Sequence, residues 1–211
     1  MLEPASDARM NERDGDMVDY IGLTDDFFKA YRDAANAEAS PHRRAILENF
    51  IEHVALEHSA DRWREILDTE RTVENPVYNM RLGSPLVHLE GREAVIGFYS
   101  HLKKGVLTNE HINLAVADWG FSSFFKIHLF MPGDTMKAQG APIDDEGAFY
   151  HIEMPLVGMY WDYDERARLI GENVYDILPP IYTKMDPADA PTQEEVDKVI
   201  QKYLPKQRVI A

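Results

Sequence analysis

The chain has 211 residues, 45% of them apolar, a formal net charge of −15 and no cysteine. So acidic a chain is a poor match for nucleic acid or an anionic lipid surface, which both call for clustered Lys and Arg. The lack of cysteine removes disulfides, thiolate metal sites and thiol nucleophiles, and suits a reducing cytoplasm. No apolar run approaches the ~18 residues of a membrane span. The opening MLEPASDARMNERDGDM is acidic and lacks the basic-then-apolar plan of a signal peptide. A cytoplasmic protein with neither a nucleic-acid nor a membrane partner is expected.

Residues 1 to about 18 are polar and predict a tail. From Thr24, acids in a first turn followed by Phe27, Phe28 and Tyr31 predict a helix. Ser40-Pro41 places an N-cap and a first-turn proline at the start of a second helix. On it Ile46, Phe50, His53, Val54 and Glu57 share one face. His53 and Glu57 either sit at the edge of that stripe or point into a pocket. A third helix carries Trp63, Ile66 and Leu67 inward, and Arg71–Met80 is a short strand broken at Pro76. A loop or short hairpin at Gly83-Ser84-Pro85 leads to a helix that starts after Gly91. Its inward residues are Ala94, Val95, Phe98 and Leu102, and two lysines precede its end at Gly105.

Glu110–Phe130 then predicts two antiparallel strands turning near Trp119-Gly120. Residues 132–148 are a Pro/Gly/Asp-rich loop. Phe149–Tyr163 alternates with period two and pairs with a last strand that Pro179-Pro180 stops. Thr192 with Glu195 three residues on forms a capping box for a final helix. Helices first and a meander after predict an α+β fold, with helices packed on one face of a curved, mostly antiparallel sheet around a cone-shaped cavity. Three parts are expected: an N-terminal extension over 1–40, a main domain over 41–180 and a C-terminal extension over 181–211.

Strand parity nominates the cavity wall. If Phe125 and Ile127 face inward, Lys126 and His128 face out. His151, Glu153, Pro155, Val157 and Met159 share one face of their strand, as do Glu172 and Val174 of the next. Trp161 adds an aromatic wall. A Glu on an apolar sheet face needs a partner or a raised pKa, which makes Glu172 a candidate acid or base. Tyr78 and Tyr99 are either core residues with one satisfied hydroxyl or donors to a bound hydroxyl. His53-x-x-x-Glu57-His58 and His151-x-Glu153 offer metal-ligand types, but neither is a complete set. No phosphate-binding loop or nucleophile elbow is present. Chemistry without metal or cofactor is expected.

Thr72–Pro76 (TVENP), Gly91–Tyr99 (GREAVIGFY) and Ala115–Asp118 (AVAD) resemble the ketosteroid-isomerase-like, SnoaL-like branch of the nuclear-transport-factor-2 (NTF2-like) fold, over roughly residues 42–178. The resemblance implies a cone-shaped α+β barrel. It also shows what has changed. Asn75 stands where those isomerases carry a catalytic aspartate, Val157 where they carry a protonated acid, and Ile51 near their tyrosine, so steroid isomerisation is not expected. Dehydratases of the group carry a histidine in an H-x-N pattern paired with an acid near the end of the first long helix; His111-Ile112-Asn113 and Glu57 match those places. In size and extended N-terminus the chain also resembles the diarylpropane lyases of lignin breakdown, which release formaldehyde.

The expected activity is a cofactor-independent lyase acting on a hydroxylated aromatic small molecule by acid–base chemistry, through a quinone methide. Its catalytic groups are His111, Glu57, Glu172 and Tyr78. Its substrate contacts are His53, Asn75, Tyr99, Phe125, Ile127, His151, Glu153, Val157, Met159 and Trp161. Two other classes stay open: an isomerase or cyclase whose base has moved to Glu172 or His151, and a non-catalytic binding or assembly module. The convex sheet face and the extensions suggest a homo-oligomer, a dimer or a trimer.

Overall fold

The computed structural model describes residues 18–83, 85–102, 105–138 and 140–206. The expected tail, Ser84 of the expected turn, the two lysines before Gly105 and the side chain of Leu102 lie outside the described residues.

Helix α1 (Tyr20–Ala37) starts four residues before Thr24, because Asp19 caps it by accepting from the Gly22 amide. Helix α2 (Pro41–His58) begins where Ser40-Pro41 place it, with the Ser40 side chain accepting from the Arg43 amide. It is buried on several sides, from Ile46 and Leu47 to Leu56 and His58, so it is a central helix and not a one-stripe surface helix. Trp63–Leu67 forms one short 3-10 helix. Then come β1 (Thr72–Arg81), β2 (Val87–Glu90), α3 (Arg92–Leu102), β3 (Val106–Ala117), β4 (Gly120–Pro132), α4 (Gly133–Ala138), β5 (Phe149–Tyr163), β6 (Leu169–Asp176), β7 (Ile181–Met185) and α5 (Gln193–Ile200). The 132–148 segment thus opens on a helical turn. The expected capping box of α5 is formed, with Thr192 and Glu195 each accepting from the other's amide.

The sheet runs β2–β1–β6–β5–β4–β3, and β7 pairs with β5. It curves without closing, and with its helices it is the α+β architecture that the SnoaL-like resemblance implies. Two pairings depart from a simple meander. β1 lies parallel to β6. Pro179-Pro180 breaks the strand but does not end the sheet: the chain resumes at Ile181 and pairs with Phe149–Glu153. The fifteen-residue β5 therefore has β6 beside one half and β7 beside the other.

Two bulges decide which side chains face inward. Phe125 pairs with Val157 but Ile127 with Met154, so β5 carries one extra residue at Pro155-Leu156. Burial follows the slip: Tyr150, Ile152 and Met154 are buried before it, and Val157, Met159, Trp161 and Tyr163 after it. In β3, His111 pairs with Phe125 and Asn113 with Phe124, which leaves Ile112 as the extra residue. At Gly171 a Cβ would stand 2.1 Å from the Val77 carbonyl oxygen, so only glycine lets β6 lie this close to β1.

The core is aromatic. Phe50 of α2 sits 4.4 Å from Tyr31, 4.5 Å from Phe121 and 5.0 Å from Trp161 between ring centroids. Tilted and edge-on contacts of this kind add to the burial term. Phe27, Phe28 and Tyr31 of α1 belong to this same core. Helix α1 also covers the free edge of β3, where Thr24 Oγ1 accepts from the Asn109 amide at 3.4 Å. Tyr203, beyond α5, stacks on Phe28 at 4.6 Å. Among the described residues no helix is long and apolar enough to cross a membrane.

Candidate active site

Between α2, α3 and the inner face of the sheet lies a cavity of about 70 Å³, room for a few waters or one small ring. Its wall is mostly apolar: Phe27, Phe50, Val54, Met80, Phe125, Ile127, Met159, Trp161 and Val174 are among its lining residues. Glu57, Leu82, Phe98 and Leu107 line it too and are partly exposed, which marks the mouth. Three of the described lining residues have polar side-chain groups that can hydrogen-bond strongly: Glu57, Asn109 and Glu172. The indole nitrogen of Trp161 makes a fourth polar feature of the wall.

Glu172 is the centre of the site. β6 carries it on the face that also holds Val174, and it is 3% exposed. Its Oε1 lies 3.1 Å from His53 Nε2 and accepts from the Tyr99 hydroxyl at 3.3 Å. His53 Nε2 in turn is 3.2 Å from the Tyr99 hydroxyl, closing a three-membered cluster. Helix α2 supplies His53 one turn before Glu57, and α3 supplies Tyr99. Burial raises the Tyr99 and Tyr78 hydroxyls well above the usual phenol range, and the nearby Glu172 charge raises them further. Both phenols therefore stay protonated, and Tyr99 serves as a donor to Glu172. Trp161 stands edge-on to His53 at 4.8 Å.

Several buried polar atoms around the cavity have no hydrogen-bond partner among the described residues. They are Trp161 Nε1, Asn109 Oδ1, His53 Nδ1 and the Tyr78 hydroxyl. Burying such groups unpaired costs about 1–3 kcal/mol each. Two of them, an N–H donor on Trp161 and a carbonyl acceptor on Asn109, belong to lining residues. Asn109 is held from behind by an Nδ2 contact to His58 Nε2 at 3.4 Å.

The structure brings together Glu57, Glu172, Phe125, Ile127, Met159 and Trp161 on the cavity wall. His53, Tyr78 and Tyr99 stand behind Glu172, and Val157 is a fully buried core residue beside Phe125. Other residues are placed elsewhere. His111 faces the inner side, but its ring packs against Tyr31 at 5.3 Å and is not among the lining residues. Its Nδ1 is buried and unpaired, and burial lowers its pKa. Asn113 is exposed, because the bulge at Ile112 turns it to the opposite face. Asn75 is exposed beside Gly91. His151 and Glu153 share no face with Val157 and Met159. The bulge at Pro155-Leu156 puts them on the far side of the sheet with His128, whose position outside the cavity matches the parity expected for it. Asn109 and Phe27 line the cavity although the sequence does not single them out for it. Asn109 was within reach, since it lies two residues before His111 on the same strand.

No family model and no curated protein matches the chain. Solved structures with a similar fold include the epoxide hydrolase/cyclase-like enzyme SalBIII of pyran ring formation in the polyether salinomycin, 16% identical over 64% of this chain and 88% of that one, with a TM-score of 0.39. A protein from Jannaschia sp. CCS1 described as a SnoaL-like polyketide cyclase is 14% identical over 65% of this chain and 88% of its own, with a TM-score of 0.46. A protein from Xanthomonas campestris pv. campestris described as a polyketide cyclase is 12% identical over 64% and 91%, with a TM-score of 0.43.

Proposed function

We propose that the chain is a lyase acting on a hydroxylated aromatic small molecule, with Glu172 as its principal acid–base group. The observation that supports this most is the Glu172–His53–Tyr99 cluster in the wall of an otherwise apolar cavity. A carboxylate so placed meets a substrate proton at close range and exchanges it with the imidazole behind. The aromatic walls hold the ring, and Trp161 Nε1 and Asn109 Oδ1 bind its hydroxyl. The cavity takes the reacting ring, and a second aryl group of a diarylpropane lies at the mouth beside Leu82 and Phe98.

The chemistry balances with two carboxyl groups. Glu172 takes a phenolic proton while the benzylic C–O bond breaks, and the hydroxide leaves as water with a proton from Glu57. The ring becomes a quinone methide. Glu57 then takes the proton of a neighbouring primary alcohol. The C–C bond breaks, formaldehyde departs, and its electron pair restores the aromatic ring, which recovers the proton held by Glu172. No redox change occurs. His53, Tyr99 and Tyr78 position Glu172. His111, which is packed under Tyr31, is given no part in these steps.

A second reading is an isomerase or cyclase with the same Glu172. It is favoured by the absence of histidine among the described lining residues, since one carboxylate suffices to move a proton between two carbons. Incubation with a panel of 4-hydroxyphenyl carbinols and diols, with products weighed by mass spectrometry and formaldehyde trapped as a hydrazone, separates the readings. Loss of water or formaldehyde that vanishes in Glu172→Gln supports the lyase. A product of unchanged mass supports the isomerase, and binding without turnover supports the non-catalytic module. Exposed Phe124 and Tyr160, flanking Gly158 on the outer face, are where a second copy of the chain is proposed to pack.

A further inference from the structure

The side of the sheet away from the cavity carries a second group of ionisable residues, which the proposed reaction does not use. His128 and Glu153 are directly opposed across β4 and β5, and Phe130 is opposed to His151. His128 Nδ1 lies 3.0 Å from His151 Nε2. One ligand atom each from His128, His151 and Glu153 all fall within 4.8 Å of one another. We propose that these three residues form a binding site for a divalent first-row transition metal, with zinc as its natural occupant.

Two nitrogens bound to zinc at ~2.0–2.1 Å, with an angle between the right angle and the tetrahedral one, are separated by roughly 2.8–3.4 Å. The observed 3.0 Å, which also suits a hydrogen bond between the rings, lies within that span and about 0.3 Å short of its tetrahedral end, so ligation asks for a small opening of the pair. Imidazole and carboxylate are ligands that zinc accepts, and three protein ligands leave the fourth position to water.

A second, independent feature points the same way. His128 is 4% exposed, and its other ring nitrogen, Nε2, is buried without a hydrogen-bond partner. A carboxylate oxygen of Glu110, Oε2, lies 3.8 Å from it. Metal on Nδ1 fixes the proton on Nε2, facing Glu110, which is the arrangement by which carboxylates orient metal-bound histidines. Lys126 holds Glu110 in place at 3.0 Å.

The site has a floor and a lid. Phe130 stacks on His151 at 4.9 Å and 11°, and the Tyr20 ring stands 5.1 Å from His128 and 5.2 Å from His151. Tyr20 is the first residue of α1, so a metal here would clip β4 to β5 directly beneath the start of that helix. From sequence only His151-x-Glu153 shows; His128 joins them across the sheet and not along the chain.

The test uses the full chain stripped by chelator and then dialysed. Zinc chloride is titrated calorimetrically, and cobalt(II) is followed by its visible absorption. The expected result is one zinc per chain, a higher melting temperature with zinc, and cobalt bands typical of low coordination number. His151→Gln and Glu153→Gln are each expected to weaken zinc binding at least ~10-fold, and Glu110→Gln by ~10-fold, as outer-shell losses do. Both His151 and Glu153 are half-buried, so these variants keep the test sound should His128→Gln not fold. No zinc binding by the wild type up to ~1 mM, well above what a structural site requires, overturns the proposal. Equal binding and equal thermal shift in His151→Gln and Glu153→Gln overturn it as well.

Discussion

The two faces of one sheet carry the same residue types in opposite arrangements. On the inner face a histidine from a helix meets a carboxylate from a strand: His53 Nε2 is 3.1 Å from Glu172, with Tyr99 beside both. On the outer face two strand histidines meet each other, His128 and His151 at 3.0 Å, with Glu110 and Glu153 around them. A His–carboxylate pair can pass a proton to whatever enters next to it. A His–His pair can share one N–H···N hydrogen bond, as 3.0 Å allows, or turn both lone pairs to a cation. The lesson is that composition alone does not assign chemistry; which group faces which does.

The largest effect expected on this contrast comes from Glu172→Gln. Turnover of any accepted hydroxyaryl substrate should fall ~10²–10⁴-fold, the span of general acid–base catalysis. Lys126→Gln, on the other face between Phe125 and Ile127, should leave steady-state rates within about twofold, since surface changes of this kind are nearly neutral. If both variants turn over alike, the inner cluster is not the reaction centre.

Stability gives the next contrast. Phe50 is 1% exposed and in contact with four core rings, so Phe50→Ala should cost ~3–5 kcal/mol in urea unfolding. Phe124, 41% exposed on the far face of the single chain, should cost well under ~1 kcal/mol when changed to Ala at concentrations too low for the proposed pairing of copies. Comparable losses at both positions would mean that the outer face is covered in solution.

Tyr99→Phe removes one hydroxyl that touches both Glu172 and His53. Roughly a tenfold drop in kcat with KM nearly unchanged is expected, alongside ~1 kcal/mol of stability. A pure KM effect would instead place the Tyr99 hydroxyl against substrate.

The smallest effect concerns His111. Burial lowers its pKa in the folded chain below the ordinary value of ~6.5, so between those two values the unfolded chain holds more protons. Its contribution is therefore whole above pH ~6.5 and is lost as the pH falls through the folded-state value. His111→Gln should flatten the acid limb of a stability–pH curve by a fraction of a kcal/mol. An unchanged limb would show that the ring is already solvated.

Much of this molecule is legible from local signals. Ser40-Pro41 and the Thr192–Glu195 box start helices where they say, and the Glu110–Phe130 hairpin turns at Trp119-Gly120 as its pattern requires. Phe125, Ile127, Met159, Trp161, Glu57 and Glu172 reach the cavity as parity and helical spacing imply. What local signals do not carry is the extra residue in a strand. Period-two counting runs straight through Pro155-Leu156 and Ile112, and so assigns His151, Glu153 and Asn113 to the wrong side. The parallel neighbourhood of β1 and β6, and the return of β7 after two prolines, are long-range pairings that leave no local pattern. His111 fails differently: its face is right, but α1 fills the space in front of it with Tyr31.

The extra residue in β5 also sets how this strand can change over time. Its two halves are out of phase, so each keeps its own inside and outside, and alterations in one half leave the other's orientation intact. Substitution at Leu156 is a matter of fit. Losing that single residue would leave a plain period-two strand with Tyr150, Ile152, Met154, Val157 and Met159 still on one face, and would remove the local kink and twist that the bulge gives β5. A shortened joint would therefore change the bend of the strand and keep the same side chains inside.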